Sequence, residues 1–326
     1  MVFYPYGSVV ALAAALAFLV MARSRAGRAL KPGSLSWFAM LSVPLALLGG
    51  RLGWCLCSLG WVLQQGWGFF FQFTRGGFML YGAMAGVAVS AFLASRGDGQ
   101  EGKKILDAAA APAAGVIAAG RLAEALVGQG FGRSILDWFD PWQEMSYVAW
   151  ENPEILFRFP FAVQDYYGDW NFAVFLPEAL TALAIAVILF RAKDRRPGGI
   201  TSLFLLLYAA GQILWESMRQ DAVLRWGFVR VSQLLSALLI LALLWVCYFP
   251  RRGSGNEQKA PSFIYRTIAM LLCAGVITTM EFALEQKIGF LLWMRMDVCY
   301  VVMALACAMM VAIVLPCWRR KYEVIS

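Results

Sequence analysis

Tyr208, Gln212, Glu216 and Arg219 recur at intervals of four, four and three residues within the otherwise apolar stretch "YAAGQILWESMRQD". On an α-helix that spacing sets all four on one stripe, where Glu216 and Arg219 can pair. A charge at the centre of a bilayer costs at least about 2.5–3.5 kcal/mol, so charges there mark functional sites by default. The stripe reads either as the wall of a polar site or as a helix end whose charges reach water.

Three further stretches carry groups of the same kind. "DAAAAPAAGVIAAGRLAEALVGQGFGR" places Asp107, Arg121, Glu124, Gln129 and Arg133 among Ala and Gly. A guanidinium in such a niche offers a planar fork that matches a phosphate. "GGRLGWCLCS" sets Arg51 between Gly50 and Gly53, either for the close approach of a ligand or as a helix-packing motif with a snorkelling arginine. "TRGGFMLYGAMAG" frees the backbone at Gly76 and Gly77 where a helix begins, an anion-attracting position, and continues through Tyr81 and Gly82. Arginines from separate spans meeting at one outer-leaflet level would make a site for a lipid phosphate.

Other chemistries are excluded by composition. The chain has no histidine, which removes Ser-His-Asp and Cys-His nucleophiles and His-based metal or haem ligation. Acid–base work would fall to Glu, Asp, Tyr, Lys or the substrate. Seven cysteines, an odd number without a Cys-x-x-Cys, indicate neither a disulfide framework nor a zinc knuckle. No metal and no cofactor is expected.

The elements that must position these groups are membrane helices. Of 326 residues, 61% are hydrophobic and 15% charged, and the mean hydropathy is +0.65; soluble domains run at about 45–50% apolar and about 25% charged. Spans of about 20 residues are predicted near 5–22, 37–60, 78–95, 105–127, 172–191, 200–218, 228–249, 263–284 and 297–317. The fold class is thus all-α and polytopic, with about nine transmembrane helices. Loops after the odd-numbered spans hold four, three, four, three and three Lys and Arg, 17 of the chain's 28. The positive-inside rule places those loops in the cytoplasm, the N-terminus outside and the C-terminus inside. Clustering in short loops also argues against nucleic acid as the reason for the +8 charge. Residues 134–171, rich in Trp, Tyr, Asp and Glu with Arg158 as the sole cation, are expected to form a small extracytoplasmic cap.

Taken together, these segments resemble the prolipoprotein diacylglyceryl transferase family over roughly residues 4–248. "YPYG" with Tyr6 is similar to the Tyr-Gly opening of that family's first helix, and "GGRLGW" to its Gly-x-Arg-x-Gly segment. "RGGFMLYGAMAG" resembles the Gly-Gly-x-x-x-(His/Tyr)-Gly-Gly block. "GRLAEALVGQGFGR", which includes Gly132 and Arg133, resembles the Gly-Arg-x-Gly-Asn-Phe-x-Asn-Gly-Glu-x-x-Gly-Arg signature. "FLPEALTAL", "YAAGQILWESMR" and "VSQLLSALLI" are similar to three later helix motifs.

The resemblance implies a seven-helix core over 1–250, followed by an added C-terminal hairpin over 260–318. It further implies a bacterial inner-membrane enzyme that moves the diacylglyceryl group of phosphatidylglycerol onto a lipobox cysteine thiol and releases glycerol phosphate. Carried over residue by residue, Arg121, Tyr81 and Glu216 are the expected catalytic groups. Tyr6, Arg51, Gly76, Gly77, Gly82, Asp107, Glu124, Gln129, Gly132, Arg133, Tyr208, Gln212 and Arg219 are the expected substrate-binding residues. The chain departs from the family pattern at Glu124 (Asn), Gln129 (Glu) and Gln212 (Arg). A non-catalytic phospholipid-binding paralogue, or a transferase with another acceptor, is the alternative those departures raise.

Overall fold

The structure, a computed structural model, describes residues 4–31, 33–73, 76–135, 161–164, 168, 170–192, 196–220, 224–226, 229–248, 260–287, 289–291 and 294–322. Among the described residues, nine helices of 15 residues or more overlap the nine predicted segments: α1 (Pro5–Arg23), α2 (Ser34–Cys57), α3 (Leu80–Ala94), α4 (Gly99–Glu124), α5 (Phe175–Arg191), α6 (Gly199–Met218), α7 (Val231–Tyr248), α8 (Ala260–Leu284) and α9 (Met296–Tyr322). Seven are long and apolar enough to cross a membrane; α3 and α5, at 15 and 17 residues, are the shorter two. The chain is an all-α polytopic membrane protein. Large side chains such as Leu12, Leu16 and Leu19 of α1 point outward, as lipid-facing positions must where the surrounding solvent is hydrocarbon.

Local chemistry explains where the boundaries differ from expectation. α4 starts at Gly99, six residues before the predicted 105, because Asp98 caps it: the carboxylate accepts from the backbone N–H of Gln100 at 3.0 Å and of Glu101 at 3.3 Å. α2 ends at Cys57 instead of 60, breaks at Ser58 and gives way to a short helix, Leu59–Gln65. Most of the cap expected over 134–171 lies outside the described residues. Its flanks are described: Ala162–Gln164 pairs antiparallel with Trp170–Phe172.

The basic segments lie at one end of the bundle. The Lys31 backbone N–H donates to Glu101 at 2.7 Å, and its ammonium bonds Asp98 at 2.6 Å, which holds the Asp98 carboxyl below the usual carboxylate range. The Arg196 N–H donates to the Tyr322 carbonyl at 3.0 Å, and Lys321 donates to the Val246 carbonyl. The loops after α1, α3 and α5 and the ends of α7 and α9 are joined in this way.

Packing is closest between α2 and α3. A Cβ placed on Gly86 would stand 2.0 Å from the Leu45 carbonyl oxygen, and one on Gly82 would stand 2.3 Å from that of Gly49. Glycines four apart let the two backbones touch. At Gly82 the space of the missing side chain is filled by α2. On the other flank α9 packs on α6 and α7. The Trp318 indole donates to the Gly199 carbonyl at 2.9 Å.

Gly86→Val should lower stability by about 1–3 kcal/mol or more through overpacking. Gly60→Ala, which meets nothing within 4 Å, should stay within about 0.5 kcal/mol of wild type. Thermal unfolding of the detergent-purified proteins checks both.

Candidate functional site

At the end of the bundle opposite the basic loops, three helices bring charges together out of water. Arg121 stands in the last turn of α4, and Glu124 is the residue that ends it. Glu178 lies in the first turn of α5, and Arg219 caps α6. Arg121 Nη1 is 2.7 Å from Glu124 Oε1, and its Nε is 3.3 Å from Glu178 Oε2. Arg219 Nη1 is 3.0 Å from both Glu124 Oε2 and Glu178 Oε2. Each cation thus faces two carboxylates and each carboxylate two cations. All four side chains are 15% exposed or less.

The stripe read from the sequence leads into this ring. The Tyr208 hydroxyl donates to Gln212 Oε1 at 2.9 Å, and Arg121 Nη2 donates to the same oxygen at 3.4 Å. Gln212 Nε2 donates to Glu216 Oε2 at 2.7 Å. An amide can accept and donate at once, so Gln212 links the arginine to the carboxylate without adding a charge. Tyr81, at the start of α3, shares a hydrogen bond with Ser236 of α7 and lies edge-on to Tyr208 with ring centroids 6.4 Å apart. Tyr6 reaches the α1–α4 seam, its hydroxyl beside Gly120.

Both ends of α6 are held by side chains from elsewhere. Arg230 donates from Nη1 to the carbonyls of Glu216 and of Arg219, the latter at 2.7 Å, a cation where helix carbonyls lack partners. Asp107 accepts from the backbone N–H of Gly198 at 2.6 Å and of Thr201 at 2.8 Å, and from the Thr201 hydroxyl at 2.7 Å. Asp107 caps α6 at the basic end, fourteen residues and about 21 Å of helix rise from Arg121.

Arg51 does not join the ring either. It is fully buried and donates to five loop carbonyls: Phe69 at 2.6 Å, Phe70, Gln72 and Gly77 at 3.2 Å, and Gly76. The Phe69 ring lies 4.5 Å from its guanidinium carbon. Gly76 and Gly77 give their carbonyls to Arg51. Arg133 donates to the Leu284 carbonyl at 2.9 Å, towards α8. Gln129 is exposed on its turn, and Gly132 pairs with Arg219 through the backbone.

Two partners of the ring and stripe were absent from the sequence-derived set. Glu178 bonds both arginines; its signal is a lone carboxylate in a 17-residue apolar helix. Arg230 is 3% exposed and directly precedes the apolar run of α7. Space is distributed unevenly at this end. A groove of 710 Å3 lies over the Arg51-bound loop, walled by Trp54, Trp61, Phe69, Gly76, Gly77 and Trp226. Beside Arg121, Glu178 and Gln212 there is a crevice of only 10 Å3, space for about one water. The ring is closed.

A family model described as prolipoprotein diacylglyceryl transferase matches residues 1–249. The chain belongs to that family. A phosphatidylglycerol–prolipoprotein diacylglyceryl transferase from Symbiobacterium thermophilum is 29% identical over 259 residues, 78% of this chain and 91% of that protein. One of the same name from Streptococcus pneumoniae serotype 4 is 30% identical over 241 residues, 72% and 82% of the two chains. The family match contains every residue of the ring and ends before α8 and α9.

Arg219→Ala should cost about 3–5 kcal/mol, since two buried carboxylates would then share one cation. Adding Glu178→Gln should recover part of that loss. A double-mutant cycle read by thermal unfolding checks the coupling; additive effects would show that the two groups do not act as a pair.

Proposed function

We propose that the chain transfers a diacylglyceryl group from phosphatidylglycerol to the thiol of a lipobox cysteine in a prolipoprotein, releasing glycerol phosphate. The observation that carries this reading is the Arg121–Arg219 pair, buried at the end of the bundle away from the basic loops. Family membership supports reading that pair as the group that meets the phosphate of an outer-leaflet lipid. The same reading puts the protein in a bacterial inner membrane, N-terminus outside and C-terminus in the cytoplasm, with residues 1–250 as the transferase core and the hairpin over 260–318 as an addition.

The chemistry suits these groups. The acceptor sulfur attacks the glyceryl carbon that bears the phosphate. A C–S bond forms, the C–O bond to phosphate breaks with its electron pair passing to the leaving phosphate, and the thiol proton is released to solvent. Negative charge grows on the phosphate in the transition state. Preorganised guanidiniums stabilise that growth more than they stabilise the bound ester. Arg121 takes the first such role and Arg219 the second, with Glu216 and Gln212 orienting Arg121 through the stripe. Tyr81 lies where it can position the head group or assist thiol deprotonation. The nucleophile belongs to the substrate, which accounts for function without histidine.

Wild-type protein in detergent should transfer lipid from phosphatidylglycerol to a lipobox peptide, seen as the peptide's mass gain. Arg121→Ala should lower that rate by at least about a hundredfold while the protein stays folded by thermal unfolding. Complementation of a bacterial strain depleted of its own diacylglyceryl transferase provides the cellular readout. A wild-type protein that binds the lipid but never turns it over would replace this reading with that of a phospholipid-binding paralogue.

A further inference from the structure

The ring holds two arginines and two carboxylates, and no phosphate can be added to it as it stands. Glu124 spans the guanidiniums with both its oxygens, Oε1 2.7 Å from Arg121 and Oε2 3.0 Å from Arg219. Two oxygens of one anion divided between two planar forks is the arrangement a phosphate ester would adopt there. The adjoining crevice of 10 Å3 leaves no room beside it. A phosphate that reaches both arginines must displace a carboxylate.

The two carboxylates differ in how they meet the arginines and in what surrounds them. Glu178 Oε2 accepts a directed hydrogen bond from Arg219 at 3.0 Å. Its helix start is pinned by the Phe175 N–H, which donates to the Gly130 carbonyl at 2.8 Å. Glu124 Oε1 accepts from Arg121 at 2.7 Å while its Oε2 meets Arg219 as an ion contact only, so this carboxylate divides its oxygens between the arginines; Glu178 meets both arginines through Oε2 alone, and its Oε1 carries no hydrogen bond. Beyond Glu124 the chain leaves α4 through the 3-10 turn Ala125–Val127 and two left-handed glycines, Gly128 (φ 62°) and Gly130 (φ 76°). A Cβ on Gly130 would stand 2.4 Å from Glu124 Oε2, so the glycine supplies the space this carboxylate occupies. Glu124 thus sits at a helix end, against a glycine turn.

The geometry points to Glu124 as a resident stand-in for the donor's phosphate, a specificity-determining carboxylate that the phosphate must displace and that sets how tightly the site takes an anion. This rests on the arginine pair being the phosphate site, yet it is separable from catalysis. Glu124 keeps the buried guanidiniums neutralised while no lipid is bound, and it competes with every anion that enters. Glu178 remains in place and orients both arginines.

The test measures binding, not turnover. Detergent-purified wild type, Glu124→Gln and Glu178→Gln are titrated with phosphatidylglycerol nanodiscs and, separately, with soluble glycerol phosphate. Glu124→Gln should tighten phosphate binding by at least about tenfold, the loss of a charged competitor, and Glu178→Gln should not tighten it. A gain with the nanodiscs places the lipid head group on the ring, and a gain with glycerol phosphate alone places the released product there; each supports the exchange. Unchanged or weaker binding of both ligands by folded Glu124→Gln overturns it. If Glu124→Gln does not fold, Glu124→Asp, which keeps the charge but draws it back from Arg219, is held to the same direction. Tighter binding in a protein that transfers nothing would sink the transferase reading and leave this one standing. An active enzyme without the gain would do the reverse.

Discussion

Burying Arg121, Arg219, Glu124 and Glu178 together is the constraint around which this end of the molecule is arranged. A lone buried charge costs several kcal/mol, and removing one partner of a buried pair costs about 3–5 kcal/mol. Four such groups are tolerable only if each faces two of opposite sign within about 3 Å, as they do here. The ends of α4, α5 and α6 must therefore stop at one level. The structure meets that demand with fixed anchors: Gly130 receives the start of α5, Phe131 receives the N–H of Gln220, and Arg230 closes the carbonyl end of α6.

α6 shows how far the demand reaches. Its exposed N–H groups are capped by Asp107 of α4 and its carbonyls by Arg230 of the segment entering α7. A helix tied at both ends cannot slide by a turn, so the stripe Tyr208–Gln212–Glu216 stays in register with Arg121. The charges at its two ends also oppose the helix dipole in the favourable sense, anion at the N-terminus and cation at the C-terminus. The two helices beyond the family match lie against this arrangement, with Met303 of α9 beside the Ser217 hydroxyl and Glu281 of α8 accepting from Gln233.

The arginines divide between two kinds of work that look alike in a sequence. Arg51 gathers the carbonyls of 69–77 and builds the floor of the 710 Å3 groove. Arg121 and Arg219 meet carboxylates, which an anionic ligand can replace. A guanidinium spent on backbone carbonyls is fixed in place, whereas one held by carboxylates faces groups whose charge another anion shares. Two of the three departures from the family pattern, at 124 and 212, fall on this second group, while Gln129 is exposed on its turn. An amide at 212 and a carboxylate at 124 make the ring self-neutralising, where the family pattern implies an extra cation and an uncharged neighbour.

Much of this was legible before any coordinates. Hydrophobic run length located all nine helices, since a run of that kind has one stable form in hydrocarbon, and the spacing 208–212–216–219 set four polar groups on one face. Both follow from chain-local rules: hydrogen bonds within the segment and 3.6 residues per turn. Motif order carried the family. Asp107 and Arg121 share a helix and a sequence neighbourhood, yet α4 carries them to opposite ends of the bundle. Glu178 and Arg230, distant in sequence, were brought to the ring and to its supporting cap by the packing of α5 and α7. Spacing tells which way a side chain points from its own helix; what stands opposite it is chosen by other helices. So the sequence by itself determined the spans, their polar faces and the kinship, and only the tertiary structure decided which charges meet.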